Sequence, residues 1–251
     1  MLIGSMNNPN NNLLKEVKWI IRNFDFLDLT LELPRARPEK INIKALKAVI
    51  GKTPVVGHTA WYLPIGSPFK ELRNYALGEL EKSAVAFEKL GVKLFNVHFD
   101  TSLGIIDYNS MIKFNMLSLK RLVPIARRHN LKIMAENTPG LFSNPDVLEK
   151  VFKNIPKLYL HLDVAHANIG KNTTPQLVKR FSKRIAHIHI SDNRGREDEH
   201  LPLGRGSMNW TALLGIIKKS GYDGTITLEV FTSTKDRLAD KSKLRNLWDK
   251  L

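Results

Sequence analysis

The sequence contains no cysteine. That excludes disulfides and thiolate metal sites, so any metal must be held by His, Asp or Glu. No apolar run approaches the ~20 residues needed to cross a bilayer, so no membrane partner is expected. The first residues, MLIGSMNNPN, have neither a basic n-region nor a long apolar stretch, and they do not read as a signal peptide. These absences point to a cytoplasmic protein. Acidic residues are in deficit: 39 Lys and Arg face 24 Asp and Glu, a net charge of +15. Such a field favours polyanions such as nucleic acid or phosphorylated substrates. The charge is spread along the chain, however, which also suits a lysine-rich surface with no partner. Linkers, low-complexity tracts and short-period repeats are missing too.

What is present is an ordinary globular composition, 43% hydrophobic and 25% charged over 251 residues, read as a single domain spanning 1–251. Eight strand-like runs recur: LIGS (2–5), FDFLDLTLEL (24–33), PVVGH (54–58), VKLFNVHF (92–99), LKIMAE (131–136), LYLHLD (158–163), IAHIHI (185–190) and TITLEV (225–230). Between them lie stretches with apolar residues at helical spacing, such as LLKEVKWIIRN and MLSLKRLVPIARRHN. KLG at 89–91 and KSGYDG at 219–224 read as helix C-termini passing into strands. Eight strand–helix units in about 250 residues predict an α/β fold of the (β/α)8 TIM-barrel type. A doubly wound open sheet is the structural alternative.

Side chains alternate between the faces of a strand. Tyr159, His161 and Asp163 therefore share one face, opposite Leu158, Leu160 and Leu162. His187 and His189 oppose Ile188 and Ile190; Asn96 and His98 oppose Phe95, Val97 and Phe99; Thr227 and Glu229 oppose Leu228 and Val230. The apolar faces would meet the outer helices, and the polar faces would point into the barrel. The inward acids and imidazoles near the C-terminal strand ends are His58, His98, Glu136, Asp163, His166, His189, Asp198, His200 and Glu229. Barrels place their chemistry at that end. Each residue alone is weak: an inward histidine is often a satisfied core group. Nine together would repel one another unless cations offset them. Nitrogen and carboxylate donors suit Zn²⁺ or Mn²⁺.

The motifs carrying these residues give the chain a resemblance to the endonuclease IV and xylose-isomerase-like barrel superfamily (AP endonuclease family 2), over essentially its whole length. GHTAWYL and NVHFDTS resemble its two histidine segments, AENTPG its Glu-Asn-Thr motif, and LDVAHA its Asp-x-x-His-Ala motif. HISDN, DEHLPLGRG and LEV resemble the later histidine strand, the Asp-x-His segment with its glycine turn, and the terminal glutamate. The resemblance implies up to three Zn²⁺ ions. Glu136 would bridge two of them. His58 and His98 would complete the first, and Asp163, His189 and Glu229 the second. His166, Asp198 and His200 would hold the third. Asp192 and Asn193 would orient imidazoles, His161 and His187 would be core histidines, and Glu32 would be a polar neighbour.

Two chemistries fit this constellation, and the fold does not choose between them. The first is phosphodiester hydrolysis at abasic sites in DNA. Clustered ions activate a water and neutralise the leaving oxygen, Trp61 and Tyr62 stack on a distorted nucleotide, and Arg194, Arg196 and Arg205 meet phosphate. The complete set of nine favours it. The second is isomerisation or epimerisation of a sugar or sugar phosphate around one metal, with Glu136 and Glu229 transferring the proton. The short loops after LELPRARPEK and HFDTSLG favour this second reading, because DNA-gripping insertions have little room. A metal-holding barrel without catalysis is the third class.

Overall fold

The computed structural model describes residues 1–101 and 106–251. Each of the eight alternating runs forms a strand: β1 (Leu2–Met6), β2 (Phe26–Leu31), β3 (Val55–Thr59), β4 (Leu94–His98), β5 (Lys132–Glu136), β6 (Tyr159–Asp163), β7 (Ile185–Ile190) and β8 (Thr225–Leu228). The strands pair in parallel in chain order, and β8 returns to β1, which closes the barrel. The helices are α1 (Leu13–Asn23), α2 (Ile43–Ile50), α3 (Lys70–Leu90), α4 (Tyr108–Arg128), α5 (Pro145–Asn154), α6 (Val164–Asn168), α7 (Thr174–Phe181), α8 (Trp210–Lys219) and α9 (Thr234–Asp249). The closed ring rules out the open-sheet alternative. Of the segment HFDTSLG, Ser102, Leu103 and Gly104 lie outside the described residues.

Local chemistry sets the helix ends. Asn12 caps α1 by accepting from the Lys15 N–H, and Asn42 caps α2 through Ala45. Each cap satisfies a donor that the first helical turn leaves free. Gly91 closes α3 at φ +81°, where a side chain would be strained. KLG is therefore the stop signal its composition suggests.

The outward faces of the strands supply the main core. Leu27, Leu29, Phe95, Val97, Leu160, Leu162, Ile188, Ile190, Ile226 and Leu228 are buried beneath helix residues such as Val17, Ile20, Leu80, Phe87 and Leu119. A smaller apolar cluster inside the barrel forms its floor, with Phe26, Val56 and Met134 backed by Leu94, Tyr159 and Ala186. The polar inward positions start immediately above this floor. Phe26 can fill the floor because Gly4 on the neighbouring strand has no side chain: a Cβ there would come within 2.3 Å of the Phe26 ring. Gly4→Ala is therefore expected to lower unfolding free energy by about 1–3 kcal/mol through overpacking. In denaturant titration, combining it with Phe26→Leu should recover part of the loss. Additive losses would show that the two sites are not in steric conflict.

Candidate metal centre and active site

Above the floor, Asp28 is the first polar inward residue of β2, and it is completely buried. Its Oδ2 accepts from Thr227 Oγ1 at 2.8 Å and lies 2.7 Å from His189 Nε2 and 3.1 Å from His187 Nε2. Burial alone would push the Asp28 carboxyl up. Its hydrogen bonds to His187 and His189 outweigh this and hold it well below the ordinary range. The other nitrogen of His189, Nδ1, lies 2.9 Å from Glu229 Oε2. One imidazole thus spans two buried carboxylates. Burial opposes its charge, but Glu229 and Asp28 hold its pKa well above the usual value. With Nε2–H donating to Asp28, Nδ1 is the nitrogen turned to the mouth, and an ion bound there would displace the proton it shares with Glu229. A carboxylate behind a histidine fixes a metal-binding tautomer in this way.

Glu136 ends β5 and gathers the next set. Its Oε2 accepts from Asn96 Nδ2 at 2.6 Å and lies 3.0 Å from His98 Nε2 and 2.9 Å from His161 Nδ1. Burial would raise this carboxyl; His161 and His98 outweigh it and hold it well below its usual value. Burial pushes the imidazoles of His58 and His161 down to about 4 and about 3, so both are neutral at pH 7. His58 stacks on His189 with ring centroids 5.5 Å apart and meets His98 edge-on at 4.9 Å. His187 and His161 are buried, as expected of core histidines, yet both hydrogen-bond to site carboxylates.

Asp163 ends β6. Its Oδ1 caps α6 by accepting from the His166 N–H at 2.8 Å, which fixes that histidine relative to the strand. His166 Nδ1 lies 2.9 Å from the Asn137 carbonyl, and Nε2 lies 3.0 Å from Asp198 Oδ2. The same Asp198 oxygen is 3.2 Å from His200 Nε2. Burial pushes the Asp163 carboxyl up to about 7, and the neighbouring Glu229, Glu136 and Asp198 charges add to the rise.

These positions fit a divalent ion. Among the described residues, buried Asp163 Oδ2, both ring nitrogens of His58 and Nδ1 of His98 have no hydrogen-bond partner. Orphaned donors and acceptors of this kind are costly unless something coordinates them. Donor atoms of Glu136, Asp163, His189 and Glu229 lie within 4.8 Å of one another, and so do those of His58, His98 and Glu136. Glu136 belongs to both groups, as a bridging carboxylate would. The groups of that spacing among the described residues do not include His166, Asp198 and His200 together.

The remaining expected residues stand further out. Trp61 and Tyr62 follow β3 and pack edge to face at 5.7 Å, with 66% and 45% of their surface exposed. They form a rim and are not packed into the barrel. Arg194 is exposed and ion-paired with Glu199, Arg196 is exposed, and Arg205 is exposed with its charge acting on Asp240 of α9. Among the described residues, no hydrogen bond joins Asp192 or Asn193 to an imidazole. Asp192 accepts from the Gly204 and Met208 N–H groups and from Trp210 Nε1, while Asn193 ties Asn168, Ala165 and Gly195 together. They hold the loop that carries Asp198 and His200. Asp28 and the Asn137 carbonyl are among the groups that orient imidazoles. Asp28 was missed because it sits among leucines in FLDLTL, and only its inward parity signals a role.

Residues 22–248 match a family model described as the xylose isomerase-like TIM barrel. A curated relative, an uncharacterized protein of Methanocaldococcus jannaschii, is 33% identical over 161 residues, 62% of this chain and 62% of that protein. An L-ribulose 3-epimerase of Methylomonas sp. is 30% identical over 128 residues, 49% of this chain and 41% of that one. The chain thus spans less than two thirds of the length of either. A probable endonuclease 4 of Aquifex aeolicus is 23% identical over 224 residues, 78% of this chain and 77% of that protein. Among solved structures, a D-tagatose 3-epimerase-like protein superposes with a TM-score of 0.90 at 25% identity, over 100% of this chain and 98% of that one.

Two outcomes follow from the geometry. Asp28→Asn should weaken Zn²⁺ or Mn²⁺ binding by about 10–100-fold, because an amide can present the wrong atom to His189. Unchanged affinity in a competition titration would remove Asp28 from the site. Metal binding should also strengthen with pH. An ion must displace the Asp163 proton, which is largely held below about pH 7. The apparent affinity is therefore expected to rise about tenfold or more from pH 6 to pH 8, and a flat profile would contradict the buried, proton-holding Asp163.

Proposed function

The chain belongs to the xylose isomerase-like TIM-barrel family, and from that premise we propose that it is a metal-dependent epimerase or isomerase of sugars or sugar phosphates. The observation that carries this reading is the buried quartet of Glu136, Asp163, His189 and Glu229, with donor atoms within 4.8 Å of one another. The likeness to the D-tagatose 3-epimerase-like structure and to the L-ribulose 3-epimerase supports it.

The four residues would hold one divalent ion, Zn²⁺ or Mn²⁺, which when bound polarises a substrate carbonyl and acidifies the neighbouring C–H. The chain's own part is proton transfer. Epimerisation beside a carbonyl needs one group to take the proton from one face and another to return it to the opposite face. Glu136 and Glu229 come from the ends of β5 and β8, three strands apart around the ring. Burial would raise each, but their imidazole partners prevail and hold both low, which suits the group that takes the proton; the group that returns one must first be protonated from solvent. Asp28 keeps the His189 ring fixed against Glu229.

The phosphodiesterase reading retains one specific support, the second donor group of His58, His98 and Glu136. At 23% identity, the endonuclease 4 relative does not carry its activity to this chain. DNA repair therefore ranks below sugar chemistry, and a small-molecule sugar ranks above DNA as the partner.

The test is incubation of metal-loaded protein with ketopentoses, ketohexoses and their phosphates in deuterium oxide. Deuterium should enter at the carbon next to the carbonyl as the epimer accumulates. Glu136→Gln and Glu229→Gln should each cut the rate by about 10²–10⁴-fold. No exchange with any member would sink the proposal. Nicking of an abasic-site duplex above the Glu136→Gln control would restore the nuclease reading.

A further inference from the structure

One buried acid has no part in the chemistry described so far. Along β2 the inward parity runs Asp28, Thr30, Glu32, and Thr30 stands level with His58 on β3. Glu32 lies two residues beyond that level, roughly 6–7 Å nearer the mouth. The carbonyl of Glu32 accepts from the Ala36 N–H at 2.9 Å, which pins the backbone as the chain leaves the strand. Glu32 is only 9% exposed, and among the described residues its buried Oε2 has no hydrogen-bond partner. Among the described residues, no Lys, Arg or His nitrogen lies within ion-pair distance of it, and it belongs to none of the close donor groups.

We propose that Glu32 is a substrate-recognition residue, whose carboxyl hydrogen-bonds a hydroxyl of the sugar seated over the Glu136–Glu229 pair. The inference rests on the sugar reading of the site. The surroundings of Glu32 match that role. The charges acting on it belong to His98 and Glu229, the two sides of the candidate centre. Tyr62 feels its charge in turn, and the Tyr62 hydroxyl interacts with the Leu33 backbone. Glu32 therefore lies between the centre and the aromatic rim. A rim of Trp61 and Tyr62 can cover the apolar C–H face of a sugar while one buried polar atom fixes its orientation. Burial pushes the Glu32 carboxyl up to about 7, so it can accept from or donate to a hydroxyl near neutral pH.

Calorimetric titration of metal-loaded protein tests this with D-tagatose, D-fructose, L-ribulose and their singly deoxygenated analogues. Glu32→Ala should weaken binding of the best sugar by at least about tenfold, while Glu32→Gln, which keeps an acceptor and a donor, should stay within about threefold. One deoxy analogue should bind wild type and Glu32→Ala equally, and metal content and melting temperature should be preserved in both variants. Equal binding of every sugar by wild type and Glu32→Ala would overturn the proposal, as would loss of bound metal in the variants. Solvent exchange separates this inference from the functional reading. Glu32-dependent binding without exchange would keep the inference and remove the epimerase. Exchange with an unchanged KM in Glu32→Ala would keep the epimerase and remove the inference. Absence of both binding and exchange would remove both.

Discussion

Ionised carboxylates inside a barrel are tolerated only when cations or hydrogen-bond donors meet them, and in this barrel the Asp28–His189–Glu229 chain, where one imidazole spans two buried carboxylates, meets that constraint. Taking a carboxylate out of water costs several kcal/mol even after relaxation. Here Asp28 Oδ2 takes Thr227, His187 and His189, and the far side of His189 reaches Glu229. Two features of the mouth depend on that chain. It sets which nitrogen of His189 faces the centre, and it holds Glu229 beside Asp163 and Glu136. An apolar floor of Phe26, Val56 and Met134 closes off the barrel end beneath.

The same economy explains why such a barrel can serve several chemistries. Glu136 is shared between two close groups of donors, one with His58 and His98 and the other with Asp163, His189 and Glu229. Under the proposed reading, a single ion would lie in the second group, whose two glutamates also move the proton. Ions in both would suit a phosphate better.

Much of this was legible in the chain. The alternation in LYLHLD and IAHIHI named the inward residues correctly, because a strand has only two faces. Glycine at the end of KLG marked the close of α3, because a left-handed residue is needed there. The motif residues converge on one mouth because parallel strands in a closed ring all end on the same side. Other roles were not legible. Asp192 and Asn193 look like partners for imidazoles by their closeness to His189, yet they brace the Leu201–Trp210 segment. Asp28 looks like one polar interruption in an apolar strand.

The sequence by itself determined the order of elements, the inward face of each strand and the supply of nitrogen and oxygen donors. These depend on local periodicity and residue type. Only the tertiary structure decided which acid meets which imidazole. Asp28 and His189 are 161 positions apart and on strands that are not neighbours. Their contact crosses the barrel interior, and its distance is set by how the whole ring closes. No local pattern carries that information, so the pairings that fix the charges and tautomers of the site emerge only when the barrel shuts.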